Sequence, residues 1–160
     1  MLMGITVNFG GSKMVWIILI SFIIALDQLV KIIIINNISL TDSIVVVKGF
    51  FYVSHFENKG IAWSLLESKL FLFIPLTVII TLLLGAYLYK SNNRLERTAV
   101  SFILGGAVGN LLDRVTKGSV TDFLEFHFGS YVFPIFNIAD IFVVIGALIL
   151  SYCIYKKEVL

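Results

Sequence analysis

The fold is decided by the stretch FNIADIFVVIGALILSYCIY, residues 136–155. After Asp140 this stretch contains no charged residue, and about 20 residues of helix cross the roughly 30 Å hydrocarbon core of a bilayer. Three further stretches of similar length lie at about 14–35, 70–89 and 95–115. Because unpaired backbone polar groups are costly in lipid, helices are the expected form. The sequence therefore predicts an all-α membrane protein with four transmembrane helices in one domain, residues 1–160.

The composition excludes several classes of protein. Apolar residues make up 59% of the chain and charged residues 14%, against about 45–50% and about 25% in soluble domains. The formal net charge of +2 is too small for a surface that follows phosphates, so no nucleic-acid partner is expected. Cys153 is the single cysteine, and it is interpreted as a small buried hydrophobe. Neither a metal site nor a cofactor is predicted.

Two long connections, at about 36–69 and 116–135, are predicted on one side of the membrane. In the first of them, residues 43–47 and 50–56 are rich in Val, Phe and Tyr, which predicts a small β-sheet between the first and second helices. Basic residues are only weakly biased between the two sides, but they favour cytoplasmic termini. The first helix is interpreted as a retained anchor rather than a secretory signal, because apolar residues continue after Asp27 and Gln28.

Several polar residues lie within or beside the predicted helices, where charges are costly and usually have a function. Asp27 and Lys31 are spaced i, i+4, which predicts an ion pair; its role is either structural or the placement of a loop or substrate. Asn110, Asp113 and Arg114 share one face of the third helix. This face is interpreted either as a structural polar cluster or as the wall of a wet site.

The chemistry suggested by these residues is acid–base catalysis by two carboxylates. Asn137 is a candidate N-cap of the fourth helix, and Asp140 follows at i+3 on the same face. Two aspartates held close together share one proton, so one can accept a proton from water while the other donates to a carbonyl oxygen. Spacing alone leaves the pair open between residues 122 and 140 and residues 113 and 140.

Five short motifs connect the chain to a known family. They are DQLVK at 27–31, NKGIAW at 58–63, GNLLDR at 109–114, VTDF at 120–123 and FNIAD at 136–140. In this order they resemble the D-Q-x-x-K, N-x-G-A-A-F/W, G-N-x-x-D-R, V-x-D-F and F-N-x-A-D boxes of the lipoprotein signal peptidases, also called signal peptidase II. Ile61 replaces an alanine of the second box, and Ile141 follows Asp140 where members usually carry serine.

The resemblance implies a bacterial membrane aspartic peptidase that removes signal peptides from prolipoproteins, just before a diacylglyceryl-modified cysteine. It implies that Asp122 and Asp140 are catalytic. The positions that match a substrate-binding role are Asn58, Asn110, Arg114 and Asn137, and those that match a supporting polar role are Asp27, Lys31 and Asp113. The implied enzyme is a monomer without cofactor in the cell membrane, with its active site near the extracytoplasmic face and an extracytoplasmic cradle formed by the predicted sheet.

Two other functions remain open from the residues alone. The same acidic side chains would serve as a proton relay in a small carrier or channel subunit. A membrane scaffold without catalytic activity would use them only for packing. Loss of cleavage on replacement of a single aspartate distinguishes the peptidase from both.

Overall fold

Helices and a small sheet alternate along the described part of the chain. The computed structural model describes residues 13–60 and 70–159, with side chains described from residue 74 onward in the second segment. The last three residues of the NKGIAW motif, among them the Ile61 departure, lie outside the described residues. The elements are α1 Lys13–Asn37, β1 Ser43–Val47, β2 Phe51–Asn58, α2 Leu70–Lys90, α3 Arg94–Lys117, β3 Val120–Phe128, β4 Tyr131–Val132 and α4 Ile138–Val159.

The sheet differs from its prediction. Strands β1 and β2 were expected between the first two helices, but the sheet is antiparallel in the order β1-β2-β3-β4. Half of its strands therefore come from the connection between α3 and α4, which the sequence interpretation treated as a loop. The fold is accordingly mostly helical with a small sheet built from both outer connections. Asp122 lies in a strand as a result, and its backbone is held by ladder hydrogen bonds.

Helix α3 lies at the centre of the helical layer and contacts α1, α2 and α4. Glycine residues allow the backbone of α3 to lie close to α1 and α4. A Cβ atom added at Gly105 would lie 2.8 Å from Ile23 of α1, and one added at Gly109 would lie 2.8 Å from Oδ2 of Asp27. At Gly106 an added Cβ would overlap the backbone oxygen of Ala139 in α4. This geometry fits the small-xxx-small packing seen between helices in membranes.

Burial in the helices is inverted relative to a soluble protein. In α1 the buried residues include Asp27 and Lys31, at 0% and 1% exposure, whereas Ile18 and Phe22 are 61% and 59% exposed. Large apolar patches on a surface are costly in water, and intramembrane charges face the interior of the helical layer. Lipid is therefore the environment that these outer faces fit.

Only some of the four predicted spans meet a strict length and hydropathy test. Within the described residues, α1 and α4 are long and apolar enough to cross a membrane, and α2 contributes a shorter apolar segment, Ile74–Lys90. Helix α3 carries charged residues near both ends. Two helices thus have the length and composition of membrane spans, and the four-span arrangement stays a prediction. Cys153 is buried, as predicted.

Candidate active site

One face of the sheet forms a wall of the site. Phe56 of β2 pairs with Asp122 of β3, and Asn58 pairs with Val120. Directly opposed residues and residues two apart share a face of a sheet, so all four side chains point the same way. Between Val53 and Phe56, β2 contains one residue more than the facing segment of β3. Such a bulge re-aims the side chains that follow it.

The N-terminus of α4 supplies the opposite side of the site. Asn137 precedes the helix, and its Oδ1 accepts a hydrogen bond of 3.0 Å from the backbone N–H of Asp140, while Oδ2 of Asp140 accepts one of 3.1 Å from the backbone N–H of Asn137. This reciprocal arrangement is a capping box, with Asn and Asp in place of the usual residues. The N-cap predicted at Asn137 is thus present. The capping box fixes the Asp140 side chain at the start of α4.

Asn137 also connects the two aspartates. Its Nδ2 donates to Oδ1 of Asp122 at 2.6 Å, and its backbone N–H donates to Asp140. Strand β3 is held against this corner because Phe136 and Leu124 form backbone hydrogen bonds in both directions. The chain thereby brings the carboxyl groups of Asp122 and Asp140 to the same asparagine. Spacing left open whether Asp122 or Asp113 is the partner of Asp140. Asp122 and Asp140 are the pair whose side chains both line the cavity between the sheet and the helices.

A cavity of about 530 Å³ opens between the sheet and the helices. Its polar wall contains Asn58, Asn110, Arg114, Asp122 and Asp140, and its apolar wall contains Phe56, Val120 and the segment 132–136. Asn137 is fully buried behind this wall. Three of the four residues predicted to bind substrate therefore line the cavity, and Asn137 instead contacts the aspartates.

Asp122 carries a strongly perturbed carboxyl group. Burial raises its pKa from 3.8 to about 7, and the charge of Asp140 acts in the same direction, against the hydrogen bonds from Asn58 and Asn137. The Nδ2 atom of Asn58 donates to Oδ2 of Asp122 at 2.9 Å. Each carboxyl oxygen of Asp122 thus accepts one amide N–H, and a proton on this group is available at neutral pH.

The three supporting residues lie together behind the cavity. Nζ of Lys31 lies 2.7 Å from Asp27 and 2.8 Å from Asp113. Asp27 also accepts the backbone N–H of Ala139 at 3.0 Å, which connects α1 to the start of α4. The ion pair predicted from the i, i+4 spacing is present, but Asp113 joins it as a second carboxylate. Asp113 faces away from the cavity into this cluster and not toward Asp140.

Sequence reasoning missed a polar network that joins this cluster to the sheet. Lys117 contacts Asp113 at 3.2 Å and donates to Thr121 at 2.7 Å. Thr121 in turn donates to Glu57 of β2 at 2.8 Å. Burial opposes ionisation of Glu57, but hydrogen bonds from Ser119 and Thr121 and the charge of Lys117 lower its pKa overall. The i, i+4 spacing of Asp113 and Lys117 was the one local signal for this network.

A family model and several sequence relatives point to the same family for this chain. The family model described as signal peptidase (SPase) II matches residues 19–156. Proteins named lipoprotein signal peptidase include that of Bacillus pumilus, 41% identical over 135 residues (82% of this chain and 87% of the relative). The one from Clostridium tetani is 39% identical over 145 residues, covering 89% and 93%. The one from Listeria monocytogenes is 37% identical over 138 residues, covering 85% and 90%.

Solved structures agree with these sequence relatives. Two structures, each described as a bacterial membrane enzyme determined by the in meso method, superpose on the chain with TM-scores of 0.84 and 0.80. Both are 34% identical to it; the first covers 91% of this chain and 90% of its own, the second 89% and 93%. The family model and the named relatives define a protease, and the solved structures together with the apolar outer faces of the helices indicate a bacterial membrane protein. The chain belongs to the signal peptidase II family.

Proposed function

We propose that the chain is an aspartic endopeptidase that cleaves lipid-modified prolipoproteins before the modified cysteine, with Asp122 and Asp140 as its catalytic pair. The observation that supports this most directly is that both carboxyl groups line one cavity and are joined through Asn137. The family assignment supplies the substrate class. The alternative functions, a proton relay and a scaffold, have no support from these comparisons.

The proposed reaction uses one ionised and one protonated aspartate. The carboxylate accepts a proton from a water molecule as its oxygen attacks the scissile carbonyl carbon, and the protonated partner donates its proton to the carbonyl oxygen. A neutral tetrahedral diol results. Its collapse breaks the C–N bond, restores the carbonyl and transfers a proton to the leaving nitrogen. Asp122, which holds a proton near neutral pH, is assigned the acid role in the first step.

The remaining cavity residues fit substrate binding. Arg114 is half-buried, and its only hydrogen bond among the described residues is a long one of 3.4 Å to the carbonyl of Asn110. Its other N–H groups are therefore available for carbonyl oxygens of an extended peptide. The apolar wall, which includes Phe56 and Phe133, suits a substrate that carries acyl chains. We assign Arg114 to the peptide backbone and this wall to apolar parts of the substrate.

The proposed enzyme works as a monomer within the bacterial cell membrane. All four helices cross the bilayer, both termini are cytoplasmic, and the sheet lies on the extracytoplasmic side against the membrane surface. Exposed apolar side chains on the sheet, such as those of Val46 and Phe128 at 53% and 56% exposure, support contact with lipid. In this orientation the cavity opens where water meets the bilayer, so that both reactants can reach it.

The test is cleavage of a purified prolipoprotein in detergent, with and without its diacylglyceryl group. We expect cleavage of the modified precursor alone, at the bond before the modified cysteine. The same rate is expected with a metal chelator, because two carboxyl groups supply both proton transfers. Equal cleavage of both precursors would contradict the substrate assignment. Loss of activity with chelator that zinc restores would contradict the mechanism.

The raised pKa of Asp122 makes a second prediction, for pH dependence. As its pKa is about 7 when folded against 3.8 ordinarily, the folded chain binds more protons than the unfolded chain between these values. Stability from this group is therefore lost as pH rises from about 4 to about 7, and the acid form needed for catalysis disappears above about 7.

We expect kcat to fall as pH rises through about 7. Between about pH 4 and about pH 7, the thermal stability of Asp122→Asn is expected to increase relative to that of the unmodified chain, because the unmodified chain loses the contribution of Asp122 in this range. The measurements are initial rates and unfolding temperatures across this range. A stability difference between the two proteins that does not change with pH would contradict a titrating Asp122.

A further inference from the structure

Lys31 does more than pair with acids. Its ammonium group carries three N–H donors, and the residue is 1% exposed. Two donors go to Asp27 and Asp113, and the third goes to Oδ1 of Asn110 at 2.9 Å. Asn110 lines the cavity, whereas Lys31 does not. The buried cation therefore contacts the wall of the active site through a single amide.

This contact fixes the direction of the Asn110 amide. Oδ1 of Asn110 accepts from Lys31 and also from Nδ2 of Asn137, at 3.0 Å. The amide nitrogen must then point the other way, and it donates to Oδ1 of Asp140 at 2.8 Å. An amide nitrogen only donates, so Oδ1 of Asp140 acts as an acceptor. A cation on the oxygen side of an amide strengthens donation from its nitrogen.

Asp140 and Asp122 differ in the groups that donate hydrogen bonds to their carboxyl oxygens. Asp140 accepts from the Asn110 amide polarised by Lys31 and from a backbone N–H at the start of α4, where the helix dipole favours negative charge. Asp122 lies in a strand, and its hydrogen bonds come from the neutral amides of Asn58 and Asn137. The surroundings thus favour charge on Asp140 and a proton on Asp122.

We propose that Lys31 is a positioning residue that, through Asn110, keeps Asp140 as the ionised member of the pair and so determines which aspartate accepts the proton of water. This inference rests on the proposed function and deepens it. The charged groups whose field reaches Asp140 are Asp27 and Lys31 from α1, Arg114 from α3 and Asp122 from β3; Asp113 of α3 contacts Lys31 and Lys117 instead.

The experiment must separate the Lys31–Asn110 contact from simple charge balance. Lys31→Met removes the contact but leaves a surplus negative charge, whereas the double variant Lys31→Met with Asp27→Asn removes it at constant net charge. Asn110→Ala interrupts the same path and leaves both ion pairs of Lys31 intact. Asp27→Asn alone breaks one ion pair and retains the contact, so it is the matched control.

For the double variant and for Asn110→Ala, we expect kcat toward the diacylglyceryl precursor to fall about fivefold at the pH that is the midpoint of the acid limb of the unmodified chain. The acid limb of the pH–kcat profile is expected to move up by about one unit in both. Asp27→Asn should lower the unfolding temperature without moving this limb upward. The proposal is overturned if the acid limb of Asn110→Ala coincides with that of the unmodified chain. It is also overturned if Lys31→Met shifts the limb but the double variant, with its restored net charge, does not.

A readout without turnover separates this proposal from the proposed function. The infrared carboxyl bands of Asp140, assigned from the difference to Asp140→Asn, report its ionisation directly. At the midpoint of the acid limb of the unmodified chain, we expect carboxylate and protonated carboxyl bands of equal share in that chain, and a carboxylate share of about one tenth in the double variant. Identical bands would overturn the role of Lys31. If the bands change but no precursor is cleaved, the proposed function fails and the positioning role stands.

Discussion

Asp122→Asn and Asp140→Asn are each expected to reduce kcat for a lipid-modified precursor by at least about a thousandfold. Either substitution leaves one carboxyl group, which cannot both accept a proton from water and donate one to the carbonyl oxygen. The cavity and its apolar wall remain, so binding of the precursor should change much less than kcat. Initial rates and precursor affinity, measured on the same detergent preparation, separate these two effects.

The control for this loss is Glu125→Gln. Glu125 lies on β3 as Asp122 does, but it contacts Ser54 and His127 and does not line the cavity. It therefore tests for the general effect of replacing a carboxylate of the same strand with its amide. We expect near-normal turnover. Turnover near normal in either aspartate variant would contradict the catalytic assignment, as would equal losses in all three.

The hydrogen bonds also predict that the two aspartate variants differ in stability. Both oxygens of Asp140 accept N–H groups, one from the backbone of Asn137 and one from Asn110. An asparagine at this position satisfies only one of them, because Lys31 and Asn137 prevent Asn110 from turning over. Asn58, which holds Asp122, has less restraint and loses only a contact with Gly60 on turning. Asp140→Asn should therefore be the less stable of the two.

The helices were largely predictable from the sequence, and the sheet was not. Apolar runs of about 20 residues are a local signal, and α2 ends within a residue of the predicted 70–89. Strand β3 depends on pairing with β2, more than 60 residues earlier, and local patterns carry no information on such a partner. The polar and charged residues of β3, among them Asp122 and Glu125, are also common in loops, which hid the strand.

Much of the candidate site was predictable for a different reason. The motif resemblance singled out the polar residues that line the cavity, but not its apolar wall at residues 132–135, and spacing alone placed Asn137 and Asp140 on one face. The contact of Lys31 with Asn110 and Asp113 requires α1 to lie beside α3, which no spacing reveals. For the same reason the path from Lys117 to Glu57 was missed.

Gly106→Ala is expected to affect both stability and activity. A Cβ at this position would overlap the backbone oxygen of Ala139 and lie 2.8 Å from Val143, so α4 must move away from α3. Overpacking of this kind costs about 1–3 kcal/mol, or more when backbone has to shift. Because Ala139 precedes Asp140, the displacement also moves the carboxyl group, and a displacement of about 1 Å costs on the order of a hundredfold in rate.

Gly85→Ala is the matched control, since Gly85 lies in helix α2 and an added Cβ there meets nothing within 4 Å. Alanine favours helix more than glycine does, so this variant should unfold at an equal or higher temperature. Thermal unfolding and kcat, measured on both variants in the same detergent, complete the comparison. A Gly106→Ala protein with unchanged kcat would show that the position of α4 against α3 does not set the geometry of the two aspartates, and the close approach at Gly106 would then serve packing alone.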